Sequence, residues 1–198
     1  MIFQYEYKFD LRKILKTANL KRLNILDFGC GIGNWNLKDI NSNQIKKITF
    51  YDKNKELINF LRSKYKSKKV NIDFDYKNIV KNNLFNLIIF SSVIQYIPQE
   101  KLKKIISEFT EEKSKLVIII TDIPYLPRFL EFLFLPFLNF KRFFFTLNLV
   151  FSKKYNKIDY FTYEKKYFNK FKKKFSLKYI HNLHDLKMLR YSVIMTLK

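Results

Sequence analysis

The three glycines of this 198-residue chain all fall within one stretch, Asp27-Phe28-Gly29-Cys30-Gly31-Ile32-Gly33. Glycine is needed where the backbone takes a positive φ, or where it must approach a ligand without a Cβ in the way. A merely tight turn would need only one. Before the cluster, Leu23 to Phe28 is a short apolar run, the pattern of a buried parallel strand feeding a turn. After it, Trp35 to Ile40 reads as the start of a helix. A strand-to-helix turn carries free N–H donors at the helix start, so this unit is where a ligand is expected to lie.

The rest of the chain repeats the same alternation. Phe9 to Leu20 reads as a helix, with Leu11, Ile14, Leu15 and Ala18 on one face and Asp10 at its N-terminus. Ile45 to Tyr51 is a second strand, and Leu57, Ile58, Leu61 and Tyr65 recur at helical spacing after it. Val70, Ile72, Phe74 and Tyr76 alternate with polar residues as a half-buried or edge strand does. Phe85 to Phe90 is a fourth strand. Pro98 suits the first turn of a helix whose stripe is Leu102, Ile105, Ile106 and Phe109, and Leu116 to Ile120 is a fifth strand. Phe161 to Lys174 reads as a helix, and Leu177 to Leu183 and Tyr191 to Leu197 read as two strands close enough to pair antiparallel. Strands alternating with helices over short connections imply an α/β fold with a parallel sheet covered on both faces. The whole chain, 1–198, reads as one domain.

Charge and cysteine usage narrow the function classes. Lys and Arg number 39 against 17 Asp and Glu, a formal net charge of +22. Such an excess draws a protein toward phosphate-rich polymers or anionic lipid. Nearly all of it is lysine, however, and alanine occurs once while Phe and Tyr are plentiful, as in an AT-rich coding sequence. Part of the excess is therefore assigned to codon usage, and specific nucleic-acid binding is not expected. Two basic runs, Arg62 to Lys69 and Lys165 to Lys174, read either as solvated helix faces or as a phosphate-contacting patch. The single cysteine, Cys30, excludes an intramolecular disulfide, no Cys/His cluster has zinc spacing, and no metal site is expected. Neither a signal peptide nor an apolar run of membrane-spanning length is apparent, so the expected location is cytoplasmic.

The glycine spacing discriminates between ligands. A dinucleotide turn wants G-x-G-x-x-G, and the sixth position here is Asn34. The pattern is G-x-G-x-G instead. Preceded by Ile25-Leu26-Asp27, it resembles motif I of the class I S-adenosylmethionine-dependent methyltransferases. That resemblance implies a Rossmann-like, doubly wound, seven-stranded mixed sheet with S-adenosyl-L-methionine as cofactor. It places Asp27, Gly29, Cys30, Gly31 and Gly33 around the methionine part. Asp52 ends the second strand, 19 residues beyond Gly33. It matches the family's acidic residue that accepts both ribose hydroxyls, with a helix N-cap as its alternative reading. The segment Phe85-Asn86-Leu87-Ile88-Ile89-Phe90-Ser91-Ser92 resembles the family's fourth strand, with Asn86 where Asp is usual. There Ser91 is the backbone contact to the cofactor. Asp75 and Asn78 fall where the family contacts adenine. Ser92-Val93-Ile94-Gln95-Tyr96-Ile97-Pro98 resembles a subset of bacterial methyltransferases encoded in surface-polysaccharide gene clusters.

Other signals stay open. Asp122-Ile123-Pro124-Tyr125 is similar to the box of amino-directed nucleic-acid methyltransferases, but it follows the fifth strand, lacks the first proline and reads as a loop turn. His181 and His184 are general-base candidates or structural histidines, and Asp122 and Tyr125 are further candidates for a base; no catalytic residue is obligatory in this chemistry. Residues 126–151 are dense in Phe and Leu and interrupted by Pro127 and Pro136. This apolar helical insertion after the fifth strand reads as a cover for the sheet, as a lid that selects a greasy acceptor, as a peripheral contact with the inner membrane face, or as a dimer face. The expected activity is methyl transfer to a small or lipid-linked acceptor, such as a saccharide intermediate. The alternatives are an RNA methyltransferase using the basic surface, and a non-catalytic module of the same fold that docks on a membrane or partner. The oligomeric state is not legible.

Overall fold

The computed structural model describes residues 22–33, 35, 40–82, 84–111, 113, 115–124, 159–180 and 190–198. Seven strands form one sheet: β1 (Leu23–Phe28), β2 (Ile45–Tyr51), β3 (Val70–Asp73), β4 (Leu87–Ser91), β5 (Val117–Pro124), β6 (Phe175–Ile180) and β7 (Arg190–Leu197), in the order β3-β2-β1-β4-β5-β7-β6. The first five are parallel, and β7 runs antiparallel to both β5 and β6. This is the doubly wound, seven-stranded mixed sheet that the resemblance implies.

Strands with an apolar residue at nearly every position must be covered on both faces, and β1, β4 and β5 are. On one face, α3 (Gln99–Thr110) buries Leu102, Ile105, Ile106 and Phe109 against Leu26, Ile88, Phe90, Ile118 and Ile120. On the other, α1 (Lys55–Lys64) buries Ile58 and Leu61 with Trp35, Ile40 and Tyr65 against Ile25, Ile48, Phe50, Leu87 and Ile89. The helix starts are capped locally. Asn54 Oδ1 accepts from Glu56 N at 2.9 Å, and Asp75 Oδ1 accepts from Lys77 N at 2.8 Å at the head of α2 (Tyr76–Lys81).

Three sequence expectations and one alternative reading are corrected. The alternation Val70 to Tyr76 does not continue as strand, because Asp75 caps α2 and Tyr76 opens it. Tyr76 then turns into the core, edge-on to Phe28 and Phe109, with its hydroxyl on Glu108. Asp122-Ile123-Pro124 is not a loop turn; it belongs to β5. A bulge between Ile120 and Ile123 lets Ile123 and Pro124 pair with Tyr191 and Arg190. The helix expected over Phe161 to Lys174 is shorter than that. The segment enters extended and forms a 3-10 helix over Lys165–Phe171. Its first residues are held otherwise: Phe161 N donates to Gln95 O at 2.8 Å and Tyr163 N to Pro124 O at 2.8 Å. Asp52 is not a helix N-cap, since Asn54 fills that role.

The helix expected over Phe9 to Leu20, most of Trp35 to Ile40, Tyr125, the insertion 126–151, His181 and His184 lie outside the described residues. Among the described residues, no helix is long and apolar enough to cross a membrane, and no group of His, Cys, Asp and Glu is arranged to hold a metal ion.

Candidate functional site

Strand order reverses between β1 and β4, with β2 and β3 on one side and β5 on the other. In open α/β sheets ligands bind outside the carboxyl ends of the strands at such a switch point. The glycine turn leaves β1 at that point. Its three glycines all take positive φ, +69° at Gly29, +58° at Gly31 and +63° at Gly33. Two of them are also sterically obliged. A Cβ on Gly29 would lie 2.3 Å from Val93 Cγ2, and one on Gly33 would lie 2.8 Å from Leu61 Cδ2 and 3.0 Å from Tyr65 Cε2.

The turn is fastened mainly by its neighbours. Gly29 N and Cys30 N both donate to Tyr51 O, at 2.7 and 3.1 Å, and Gly33 N donates to Cys30 O at 3.0 Å. Gly31 N donates to Asp52 Oδ2 at 3.0 Å, while Asp52 Oδ1 accepts from Asn54 N at 2.9 Å. Asp52 therefore lies on the glycine turn with both oxygens anchored by backbone N–H groups. Each of those oxygens retains a further lone pair. From α1, Lys64 Nζ donates to the carbonyls of Ile32 and Gly33, and the Tyr65 hydroxyl lies 2.9 Å from Gly33 O and 3.0 Å from Trp35 O. Lys64, Tyr65 and Val93 were not legible as site residues, because their partners are remote in sequence.

Asp27, at the end of β1, is buried, and its Oδ2 accepts from Trp35 Nε1 at 2.8 Å. Burial pushes its carboxyl up to about 7; the Trp35 bond opposes that shift and the nearby Asp52 charge adds to it. Cys30 is also buried, and burial with the Asp27 and Asp52 charges pushes its thiol up, away from nucleophilic use.

Asp27, Gly29, Cys30, Gly31, Gly33 and Asp52 thus come together. Ser91 joins the same edge of the sheet at the end of β4, where its Oγ accepts from Thr121 Oγ1 at 3.2 Å. Asp75 reaches the neighbourhood of Tyr51, whose hydroxyl is pushed up by burial and by Asp52, Asp75 and Asp73 together. Asn78 is one turn further along α2 and exposed.

Residues 25–111, from β1 through α3, match the family described as a methyltransferase domain. No curated protein matches. Among solved structures, an S-adenosylmethionine-dependent methyltransferase from Clostridium acetobutylicum ATCC 824 superposes with a TM-score of 0.63 at 16% identity, covering 99% of this chain and 93% of that one. Magnesium protoporphyrin IX methyltransferase from Synechocystis PCC 6803, solved with bound SAH, gives 0.63 at 12% identity, covering 95% and 80%. The N-methyltransferase NodS from Bradyrhizobium japonicum WM9 gives 0.57 at 11%, covering 94% and 91%. The sheet is thus the Rossmann-like one on which S-adenosylmethionine-dependent methyltransferases are built. Over residues 25–111 the chain is similar in sequence to that methyltransferase domain.

Proposed function

We propose that this chain transfers the methyl group of S-adenosylmethionine to a small-molecule acceptor. The observation that carries the reading is how the glycine turn spends its donors. The N–H groups of Gly29, Cys30, Gly31 and Gly33 are taken by Tyr51 O, Asp52 Oδ2 and Cys30 O. A dinucleotide turn must instead offer such N–H groups to a pyrophosphate. This turn suits a ligand with no phosphate, and beside it stands a carboxylate with a lone pair to spare on each oxygen for a diol.

In this reading Asp52 accepts the two ribose hydroxyls. Gly29, Cys30, Gly31 and Gly33 line the methionine part, and the Asp27 carboxyl faces its ammonium. Ser91 contributes a backbone contact, and Asp75 or Asn78 meets the adenine. The cofactor supplies an electrophilic methyl on a sulfonium. The protein's part is to align the acceptor with it and exclude water. Acceptor choice falls to residues 126–151, whose apolar composition favours a greasy, lipid-linked or saccharide-bearing acceptor at a membrane face. Tyr125, His181 and His184 remain the candidates for a base, whereas Asp122 is buried and engaged by Ser92 and Arg190.

A second reading, an RNA acceptor, draws on one feature. Lys165, Lys166, Lys170 and Lys172 to Lys174 are exposed, and the Lys170–Glu100 pair at 3.9 Å sets them beside Lys101, Lys103 and Lys104 of α3.

Calorimetric titration with S-adenosylhomocysteine and with NAD tests the cofactor. Binding of the first and not the second is expected, and the reverse overturns the reading. Labelled methyl transfer into small-molecule extracts against tRNA or rRNA then separates the two acceptors. It also separates an enzyme from a non-catalytic module of the same fold.

A further inference from the structure

Two residues without the freedom of glycine sit in the left-handed backbone region at neighbouring strand ends: Ser92, just after β4, at φ +52°, and Asp122, at the bulge in β5, at φ +60°. A side chain makes that region costly, and such residues persist only where the surroundings hold them. Here they hold each other. Ser92 Oγ donates to Asp122 Oδ2 at 2.7 Å, and Ser92 N donates to Thr121 O at 3.3 Å. The same Oδ2 accepts from Arg190 Nη1 at 2.8 Å, at the start of β7, and Arg190 Nη2 donates to the Tyr160 hydroxyl at 2.8 Å. Asp122 is 2% exposed, and its other oxygen is buried without a donor among the described residues. A buried carboxylate left half satisfied is an expensive way to finish a strand.

We propose that Asp122 is a positioning residue for the cofactor side of the site, acting through Ser92 to hold the Ser91–Val93 turn against the glycine turn. This rests on the cofactor assigned above. The turn it holds has two working ends. Ser91 carries the backbone proposed to meet the cofactor. Val93 is the residue that would lie 2.3 Å from a Cβ on Gly29, so the two turns are packed face to face. A shift at Ser92 therefore moves both walls of one crevice. A role confined to strand pairing would explain the Arg190 contact, which joins β5 to β7. It leaves unexplained why the carboxylate also reaches Ser92 and why both residues are held in strained backbone.

The geometry separates the positioning role from a structural one in three variants, each read by calorimetry with S-adenosylhomocysteine on the folded protein and by thermal melting. Asp122→Asn keeps the shape and removes the charge. Ser92→Ala removes the donor and keeps the strained Cβ, so the turn relaxes. Ser92→Gly removes the donor but adopts φ +52° without strain. The expected result is a loss of about tenfold in affinity for Asp122→Asn and Ser92→Ala, as misplacement of a binding group produces, with most of it recovered in Ser92→Gly. If Asp122→Asn does not fold, the two Ser92 variants decide. Wild-type binding with Ser92→Ala within twofold of it, whatever the melting temperatures, overturns the positioning role. A wild-type protein that takes no S-adenosylhomocysteine overturns the cofactor reading and this inference with it.

Discussion

Trp35 Nε1 donates to Asp27 Oδ2 at 2.8 Å in a site with almost no solvent, so the indole proton faces a carboxyl that ionises late. The carboxyl stands at about 7 in the fold against 3.8 for an ordinary aspartate. Between those two values the folded state binds more protons than the unfolded state, so stability falls as pH rises from about 4 to about 7. Asp27→Asn, which cannot ionise, should flatten that slope in urea melts taken across the interval.

The same group gives cofactor binding an opposite slope. A ligand ammonium beside Asp27 favours the ionised carboxylate, so affinity for S-adenosylhomocysteine should rise with pH through about 7, with proton release on binding. Calorimetry in buffers of different ionisation enthalpy counts the protons. A flat profile would place the ligand's ammonium away from Asp27.

Asp52→Ala should weaken S-adenosylhomocysteine by about 1.5 to 3 kcal/mol, the range for hydrogen bonds to a charged group. It also frees the Gly31 and Asn54 N–H groups, so a modest loss of thermal stability should accompany it. Asp52→Asn, which keeps one anchoring oxygen, should lose less of both. Unchanged affinity in the alanine variant would move the ribose contact to another residue.

Gly29→Ala meets two penalties, the left-handed backbone and the collision with Val93. Together these come to about 2 to 5 kcal/mol of stability. In the double variant with Val93→Ala the 2.3 Å clash with Cγ2 is gone, the tight 3.0 Å approach to Cβ is left, and the backbone cost stays. The two changes should therefore couple in a double-mutant cycle rather than add. Additive behaviour in urea titrations would mean that the turns do not pack as described.

Binding of this basic protein to RNA should be weak, indifferent to sequence and lost steeply between low and physiological salt, as counterion release requires. Methyl transfer into tRNA at physiological salt would overturn this and favour the exposed lysines beside α3 as an RNA face.

What was legible in the sequence was whatever local pattern alone decides. The apolar runs of β1, β4 and β5 and the stripes of α1 and α3 are dictated by burial on two faces. Asp52 stood out because it directly follows a strand at a fixed distance from the glycines, and it bonds to the glycine turn. Asp75 and Tyr76 misled because an aromatic at every second position mimics a strand. A short polar residue with a free backbone N–H two positions later starts a helix instead. The 3-10 segment misled because Phe168 and Phe171, three apart, fit either helix type, and only their packing with Tyr167 and Tyr191 selects the tighter one. Asp122-Ile123-Pro124 looked like a turn because its partners, Arg190 and Tyr191, are far along the chain. The bonds that Ser92 and Arg190 make to Asp122 escaped notice for the same reason. Local pattern cannot report a hydrogen bond that long-range pairing creates.

The placement of β7 between β5 and β6 has a consequence for assembly. Residues Phe175–Ile180 precede Arg190–Leu197 in the chain, yet in the sheet they are joined to the rest only through them. Ile119 pairs with Ile194 far along the chain, and a contact of such sequence separation is slow to close. Phe175 to Ile180 can pair with Arg190 to Leu197 beforehand, but that pair has no other sheet edge to join. The two strands therefore enter and leave the structure as one cooperative unit, with amide protection along β6 never exceeding that along β7.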